Sequence, residues 1–434
     1  MRFLLFLSFG ATLAVMSQES DTPVRLMIVE PGHFHASLLQ RDMYPSIAPK
    51  VAVYAPLGPE LIDYLNRISL FNRRAEKPTS WELDVSTSSD PMLDMLKERP
   101  GNVVLFTGKN LGKIDRINAS LDAGLHVFAD KPWIISSKDM AKLDHALETA
   151  ERKGLAAYDI MTERFEVTSE LQRIFVNTPE VFGKLEHGSA ADPAIYAKSI
   201  HHVMKIVAGV PLKRPAWFFD TDVYGEGLAD VGTHVVDLVQ WTAFPDQALD
   251  YRKDVQVLEG KHWPLKMTKE QFQQVTGEPL AAEKLDYYCN NSVHYTLRGV
   301  HVKLDILWNW EAPAGAGDLY EATFRGSNAR IEIRQGKLPE LYIVPTRGRA
   351  GVFAAVKNKI NQLQTQFPGV TFNEQNGRIT IPEKFHVGHE AHFAQVANRF
   401  FSYIASPKSM PSWERPNMLV KYFISTKGVE LAQK

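Results

Sequence analysis

Residues 102–132, NVVLFTGKNLGKIDRINASLDAGLHVFADKP, decide the fold of this chain. The segment predicts a buried strand at 102–107, a helix at 111–123 that ends at Gly124, and a second buried strand at 126–129. Two short apolar strands connected by a helix are typical of parallel pairing, in which helices cover the faces of the sheet. We therefore interpret this segment as one unit of an α/β domain.

The same alternation extends in both directions along the chain. Strands are predicted at 24–30, 51–55, 81–86 and 155–160, and helices at 34–41, 57–68, 91–98 and 137–153. Alternation over about 130 residues predicts a Rossmann-like, doubly wound parallel sheet in a domain at 24–160. A ligand of such a sheet binds at the carboxyl ends of the strands.

The pattern changes after residue 160. The alternating segment 287–310 predicts two strands joined by Arg298–Gly299. Further strands are predicted at 182–188, 319–325, 329–334 and 340–344, and helices at 165–175, 232–241, 388–404 and 413–431. We predict a substrate-binding α+β domain at 161–434 with a large, mainly antiparallel open sheet, and expect its last helices to pack back on the first domain.

The first twenty residues have the features of an export signal. A short positive start, Met1–Arg2, precedes the apolar run at 3–15, which is shorter than the roughly 20 residues of a membrane span. Small and polar residues near Ser17 and Ser20 resemble a cleavage region. We expect residues 1–20 to be a signal peptide, the mature protein to be periplasmic, and no membrane attachment after cleavage. An uncleaved anchor is the alternative.

Composition excludes several classes of protein. The 434 residues carry a formal net charge of −1, and no basic stripe indicates binding to nucleic acid. The single cysteine, Cys289, excludes an intrachain disulfide and a cysteine-rich metal site. A homo-oligomer formed through the open sheet remains an option.

Two short motifs carry the chemistry. Asp130–Lys131–Pro132 follows a predicted strand, and Asp230–Val231–Gly232–Thr233–His234 opens a predicted helix that continues to Asp237. Histidine can accept the proton of an alcohol near neutral pH, and a lysine ammonium can stabilise the oxyanion that remains. We predict Lys131, His234 and Asp230 to be catalytic. A histidine packed within its helix and a surface lysine are the structural alternatives.

The first strand–turn–helix is a weak dinucleotide motif. Residues 30–36 read EPGHFHA, so Gly32 alone occupies a glycine position of the usual fingerprint. His33 and His35 could add hydrogen bonds to a pyrophosphate, or could simply lie on a surface turn. The second strand also ends without the acidic residue that usually binds the adenosine ribose.

Four sequence features together resemble the Gfo/Idh/MocA family, the glucose–fructose oxidoreductase and inositol dehydrogenase group. They are the glycine turn, NVVLFTGKN at 102–110, ADKP at 129–132, and GEGLADVGTHVVD at 225–237. Asp130–Lys131–Pro132 is similar to the Glu-Lys-Pro of the family. Residues 308–310 and 324–327 look like a subgroup of secreted oxidoreductases with its own C-terminal domain.

The resemblance implies a nicotinamide cofactor and a sugar or polyol substrate. We expect NAD rather than NADP, tightly bound. Cofactor contacts are assigned to residues of the first turn, the next strand ends and a closing segment: Gly32, His33, Phe34, His35, Thr107, Asn110, Asp130 and Trp217. The degraded glycine fingerprint and the missing ribose acid leave open how the adenosine half is held.

Substrate contacts are assigned to Arg164, His201, His202, Lys205 and Asp237, although Asp237 could be a structural partner instead. No metal is expected; a site built from His201, His202, His234 and Asp230 matches no standard zinc spacing. The preferred function is oxidation of a sugar ring hydroxyl, such as C3 of a glucoside, to a ketone. A redox-neutral NAD-dependent glycosidase or lyase and a non-catalytic carbohydrate-binding protein remain as alternatives.

Overall fold

The computed structural model describes residues 24–207, 210–312 and 317–434. The predicted signal peptide at 1–20 lies outside these residues. In the described part of the chain, no helix is both long enough and apolar enough to cross a membrane.

The first sheet is a six-stranded parallel sheet in the order β3-β2-β1-β4-β5-β6, which confirms the predicted Rossmann-like fold. Its strands are β1 Leu26–Val29, β2 Lys50–Ala55, β3 Glu82–Thr87, β4 Val103–Phe106, β5 His126–Ala129 and β6 Ala157–Asp159. The helices between them are α1 His35–Leu39, α2 Pro59–Arg73, α3 Pro91–Glu98, α4 Lys113–Asp122 and α5 Met140–Lys153. The order of the strands reverses between β1 and β4, so a crevice opens at their carboxyl ends.

The second sheet has nine strands in the order β10-β11-β12-β7-β13-β14-β15-β17-β16. It is antiparallel except for the parallel pair of β12 and β7, as predicted for a mainly antiparallel sheet. Its strands are β7 Ile195–Met204, β10 Val255–Thr268, β11 Lys284–Leu297, β12 Val300–Glu311, β13 Leu319–Arg325, β14 Ala329–Gln335, β15 Pro339–Pro345, β16 Thr371–Asn373 and β17 Arg378–Thr380. Two further short strands, β8 Ile206–Val207 and β9 Val210–Pro211, pair antiparallel with each other.

The remaining helices are α6 Val167–Val176, α7 Pro179–Phe182, α8 Gly227–Asp230, α9 Gly232–Ala243, α10 Lys269–Thr276, α11 Arg349–Leu363, α12 His389–Ala405 and α13 Glu414–Ala432. The strand predicted at 182–188 is wrong. Phe182 closes α7, Gly183 then adopts a φ of 79°, and the segment forms only isolated bridges such as Leu185 with Gly326. The first helix is also shorter than the predicted 34–41.

Helix α12 packs on the parallel sheet, although it follows the second sheet in the chain. Phe393, Val396 and Phe400 belong to the same buried cluster as Ile28 and Val53 of the first domain. The ring of Phe400 stacks on Phe128 of β5 at 4.6 Å. The last part of the chain therefore covers one side of the first sheet and brings α12 close to its crevice.

Candidate active site

Lys131 and Asp230 form a buried ion pair at the carboxyl end of β5. Lys131 follows Asp130 directly after β5, and its peptide bond to Pro132 is cis. Asp230 is the last residue of α8. The Lys131 ammonium donates a hydrogen bond to the Asp230 carboxylate, and both side chains are buried. The Tyr224 hydroxyl donates to the same carboxylate oxygen at 3.3 Å. Two residues that are 99 positions apart in the sequence thus form one ion pair.

His234 lies in the first turn of α9, close to this ion pair. Burial and the nearby Lys131 ammonium hold the pKa of His234 well below its usual range, so the ring is neutral near pH 7. Its Nδ1 atom is buried and has no hydrogen-bond partner among the described residues. A neutral imidazole has one nitrogen lone pair that can accept a proton.

The turn between β1 and α1 carries one glycine of the dinucleotide fingerprint, Gly32. Glu30 adopts a φ of 50°, a left-handed conformation that usually requires glycine, and its side chain pairs with Arg116. A Cβ atom at Gly108 would lie 2.7 Å from the Glu30 carbonyl oxygen. A Cβ at Gly32 would lie 2.7 Å from the Trp217 ring. Only glycine fits at these two positions.

Trp217 covers this turn. It lies in a short 3-10 helix, Ala216–Phe219, and its indole N–H donates to Glu60 Oε1 at 3.0 Å. Beside it, at the ends of β1, β2 and β4, a cleft of about 260 Å³ is lined by Gly32, Pro56, Gly108 and Trp217, among others. Glu60 also lines the cleft, so a carboxylate is present there although β2 ends without one.

Thr107 and Asn110 follow β4, and the structure uses them differently. The Thr107 hydroxyl is buried without a hydrogen-bond partner among the described residues. Asn110 Nδ2 donates to the Tyr224 carbonyl at 2.6 Å, and its Oδ1 accepts from Lys113 Nζ at 2.5 Å. Asn110 and Lys113 therefore support the loop from within, and burial lowers the pKa of this lysine to about 7. Thr107 keeps its hydroxyl free for a ligand.

His33, His35 and Asp130 form one cluster. His33 Nδ1 lies 2.8 Å from Asp130 Oδ2, and His35 Nδ1 lies 3.0 Å from Asp130 Oδ1. His35 Nε2 is 3.1 Å from Nε2 of His389 on α12. Phe34, between the two histidines, packs on the apolar core. The turn histidines thus face inward and do not lie on an exposed surface turn.

The predicted substrate residues separate into two groups. His201, His202 and Lys205 converge on Asp318, where His201 Nδ1 lies at 3.0 Å and Lys205 Nζ at 2.7 Å. Arg164 and Asp237 instead form a buried network: Arg164 donates to Asp237 at 2.5 and 2.8 Å and to Glu414 at 2.7 Å. This arrangement favours a structural role for Arg164 and Asp237 over the expected substrate contact.

The alternative metal set does not converge. Asp230 pairs with Lys131, whereas His201 and His202 pair with Asp318. His201 and His202 lie on β7, Asp230 ends α8, and His234 lies on α9, where its Nδ1 has no hydrogen-bond partner among the described residues.

Three residues of the site were not found from the sequence. His389 lies near His35, Lys205 and His234, and burial together with His35 holds its pKa well below the usual range. Asp318 pairs with His201, His202 and Lys205. Glu163 interacts electrostatically with Asp318 and Lys205, and burial together with the Glu166 carboxylate raises the pKa of Glu163 to about 7. His389 is 258 positions beyond Lys131, and no spacing rule connects them.

Residues 171–433 match the family described as "Putative oxidoreductase C terminal domain". The chain belongs to the Gfo/Idh/MocA family of oxidoreductases. A crystal structure described as a "putative oxidoreductase" from Parabacteroides merdae ATCC 43184 is 39% identical, with a TM-score of 0.91. The alignment covers 96% of this chain and 98% of that one.

More distant members of the family share the fold. Levoglucosan dehydrogenase, solved with NADH and levoglucosan, is 13% identical with a TM-score of 0.62, covering 95% of this chain and 97% of that one. The myo-inositol 2-dehydrogenase of Lactobacillus plantarum is 14% identical with a TM-score of 0.56, covering 95% and 97%. No curated protein sequence matched the chain.

Proposed function

We propose that this family member oxidises a ring hydroxyl of a sugar or glycoside to a ketone and transfers the hydride to a tightly bound NAD. The observation that carries the proposal is the buried Lys131–Asp230 pair, which lies beside a neutral His234 with a free ring nitrogen. These groups can take a proton from an alcohol and hold the oxyanion that forms. C3 of a glucoside is the proposed position of oxidation, and NADP is the less favoured cofactor.

The residues at the crevice fit a dinucleotide. Gly32 and Gly108 allow close approach of a ligand to the backbone, and the Thr107 hydroxyl has no hydrogen-bond partner among the described residues. The cleft between Pro56 and Trp217 lies where an open parallel sheet binds the adenosine half, and Glu60 supplies a carboxylate for a ribose. When bound, the nicotinamide would supply the hydride acceptor.

In the proposed reaction, side chains of the protein accept the substrate proton and stabilise the negative charge that forms on oxygen. His234 accepts the hydroxyl proton of the substrate, because its ring is neutral and its Nδ1 has no hydrogen-bond partner in the part of the chain that the structure describes. The Lys131 ammonium donates to the oxygen as negative charge develops, and Asp230 fixes the position of that ammonium. Burial excludes water, so each of these interactions is stronger than it would be at the surface.

A sugar substrate is supported by two observations. The levoglucosan dehydrogenase of similar fold was solved with levoglucosan and with L-sorbose. In this chain, His201, Lys205 and Asp318 form a polar group on β7 and the loop before β13, and such groups can hydrogen-bond several hydroxyls. The proposal includes export through residues 1–20, which N-terminal sequencing of the secreted protein tests.

The test begins with protein purified without added nucleotide. Denaturation and mass spectrometry should release close to one NAD(H) per chain, because an exported enzyme cannot draw on a cytoplasmic pool. The protein is then incubated with simple glucosides and a hydride acceptor, and the products are read by NMR. A keto-glycoside with its linkage intact is the expected result.

Two other outcomes identify the alternatives. Free aglycone without net oxidation would indicate the redox-neutral glycosidase or lyase. Protein that neither holds nor binds NAD, and turns over no sugar, would indicate the carbohydrate-binding alternative and would overturn the proposal.

A further inference from the structure

We propose that His33, His35 and Asp130 bind one divalent transition-metal ion of the borderline class that includes zinc. The three side chains lie at the start of the crevice, where β1 turns into α1 and β5 ends. These residues take no part in the proposed proton transfer, and the motif that supplies the two histidines is the part of the first turn that departs from the dinucleotide fingerprint.

The geometry places three ligand atoms around one point. His33 Nδ1, His35 Nδ1 and a carboxylate oxygen of Asp130 all lie within 4.8 Å of one another. The shortest separations are 2.8 Å and 3.0 Å, each between a ring nitrogen and the carboxylate. Ligands bound to zinc at about 2.1 Å lie about 3.0 to 3.4 Å apart, so an ion fits between these atoms after small side-chain shifts.

The candidate ligand atoms of this site have no hydrogen-bond partner among the described residues. Among the described residues, His33 Nδ1, His35 Nδ1 and Asp130 Oδ1 are buried and make no hydrogen bond of acceptable geometry. Only 3% of the surface of His35 and 3% of that of Asp130 is exposed. A cation between them would give all three atoms a partner and offset the cost of burying them.

His389 fixes the orientation of one ligand. Its Nε2 lies 3.1 Å from His35 Nε2, so His35 can donate its Nε2 hydrogen to His389. The lone pair of His35 then lies on Nδ1 and faces Asp130. Histidines that bind metal usually donate their second ring N–H in this way.

The surroundings admit a cation. The ammonium of Lys131 is next in the chain to Asp130, but it pairs with Asp230, and this pairing reduces its repulsion of an ion. His33 also lines a second cleft with Gly32, Trp217 and Arg214, which gives an ion a route from solvent. Three protein ligands leave at least one coordination position for water or another ligand.

The ligand set selects the class of metal. Two imidazoles and one carboxylate suit zinc and its first-row neighbours, whereas magnesium and calcium prefer oxygen ligands alone. Zinc is therefore the ion used in the binding measurement. Cobalt reports the coordination geometry through its visible spectrum.

The experiment measures metal without any assay of the reaction. The protein is purified without chelator, its metals are counted by mass spectrometry, and the stripped protein is titrated with Zn²⁺. We expect about one equivalent in the wild type, and a loss of affinity of at least about tenfold in His33→Ala and in Asp130→Asn. The control is His294→Ala with His301→Ala, which removes a histidine pair at 3.1 Å on β11 and β12. This control should bind zinc as the wild type does.

Two results would overturn the proposal. One is that the wild type neither retains a metal nor binds Zn²⁺, and the other is that His33→Ala and Asp130→Asn bind Zn²⁺ as tightly as the wild type. If Asp130→Asn does not fold, the Co²⁺ spectrum of the wild type still decides, because a spectrum of six-coordinate aqueous cobalt would contradict a site with two histidines. NAD content is measured on the same samples, so failure of the oxidoreductase proposal is recorded separately.

Discussion

At the residue scale, the catalytic proposal depends on a charge that is buried but compensated. Removing one partner of a buried ion pair leaves the other charge unpaired, whereas removing both charges leaves none. Lys131 and Asp230 are both buried, so loss of lysine has a structural and a chemical consequence. The two consequences can be separated with a second substitution.

We expect Lys131→Met to lower turnover by about 10³-fold or more and to destabilise the fold by about 3–5 kcal/mol, because the Asp230 carboxylate loses its cation. Adding Asp230→Asn should recover most of the stability and none of the turnover. The measurements are turnover on the substrate found by NMR and thermal unfolding. Near-normal turnover in either variant would remove Lys131 from the mechanism.

Glu163 gives a stability prediction that does not depend on the reaction. Burial and Glu166 raise the pKa of Glu163 to about 7, above the ordinary value of 4.5. A group with a raised folded-state pKa stabilises the fold fully below its unfolded pKa, and this contribution is lost as pH rises through the folded pKa. Because of Glu163, the free energy of unfolding of the wild type should therefore fall as the pH rises from about 4.5 to 7.

Glu163→Gln keeps a neutral side chain of the same shape, so this variant should gain stability relative to the wild type as pH rises from 5 to 8.5. Urea unfolding at several pH values measures the difference. Lys269→Gln, at an exposed pair with Glu283, is the control and should show no such trend. A Glu163→Gln curve parallel to the wild type would show that the carboxyl is already ionised at pH 5.

The residues of the site were predictable to different degrees. Lys131, Asp230 and His234 lie in short motifs whose residue types suit the chemistry, and the structure places them together. Asp318 and His389 were not predictable, because each reaches its partner, Lys205 or His35, through the folding of a distant segment. Arg164 could not be distinguished from a substrate contact, since its partner Glu414 is 250 positions away.

At the element scale, the sequence predicted strands best where burial is uniform. The four residues of β1 and of β4 are all buried, and both strands were found from their apolar runs. Strand β10 was missed. It lies at the edge of the second sheet, most of its residues are not buried, it contains Pro264, and its register shifts near Val257 and Trp263. Bulges and exposed edges remove the regular alternation that identifies a strand.

Helix α13 contributes a buried lysine, Lys421, that pairs with two buried carboxylates. Lys421 Nζ lies 2.7 Å from Asp159 at the end of β6 and 3.1 Å from Asp237 on α9, and its side chain is fully buried. It thus compensates carboxylates that belong to the first sheet and to α9, the helix that carries His234. Arg164 and Lys421 together hold the pKa of Asp237 well below its usual range despite burial.

Lys421→Met should destabilise the protein by about 3–5 kcal/mol, because two buried carboxylates lose a cation. Lys427→Met is the matched control on the same helix: Lys427 pairs with Glu430 at 2.9 Å near the surface, and the loss should be below about 1 kcal/mol. Denaturant unfolding of both variants gives the comparison. Equal effects would show that the network contributes no more than a surface pair.

At the scale of the whole molecule, α13 packs against both sheets. Met418, Leu419 and Tyr422 belong to the buried cluster of the parallel sheet. Val420, Ile424 and Val429 belong to the cluster of the second sheet. The helix is apolar on both sides for this reason, and neither cluster is complete without it.

We therefore expect the two sheets to unfold together. Because the loss of α13 exposes both clusters and breaks the ion network at once, differential scanning calorimetry should give one transition with equal calorimetric and van't Hoff enthalpies.

Hydrogen exchange offers a second measure of whether the two sheets unfold together. Tyr422→Ala should speed exchange in β1 and β4 of the first sheet and in β11 and β12 of the second by similar factors, with a loss of about 3–5 kcal/mol. Leu121→Ala, in α4 and in the same buried cluster of the first sheet as Tyr422, serves as the comparison for a core substitution outside α13. Two resolved transitions, or faster exchange in only one sheet of the Tyr422 variant, would show that the sheets are independent folding units and that α13 merely rests between them.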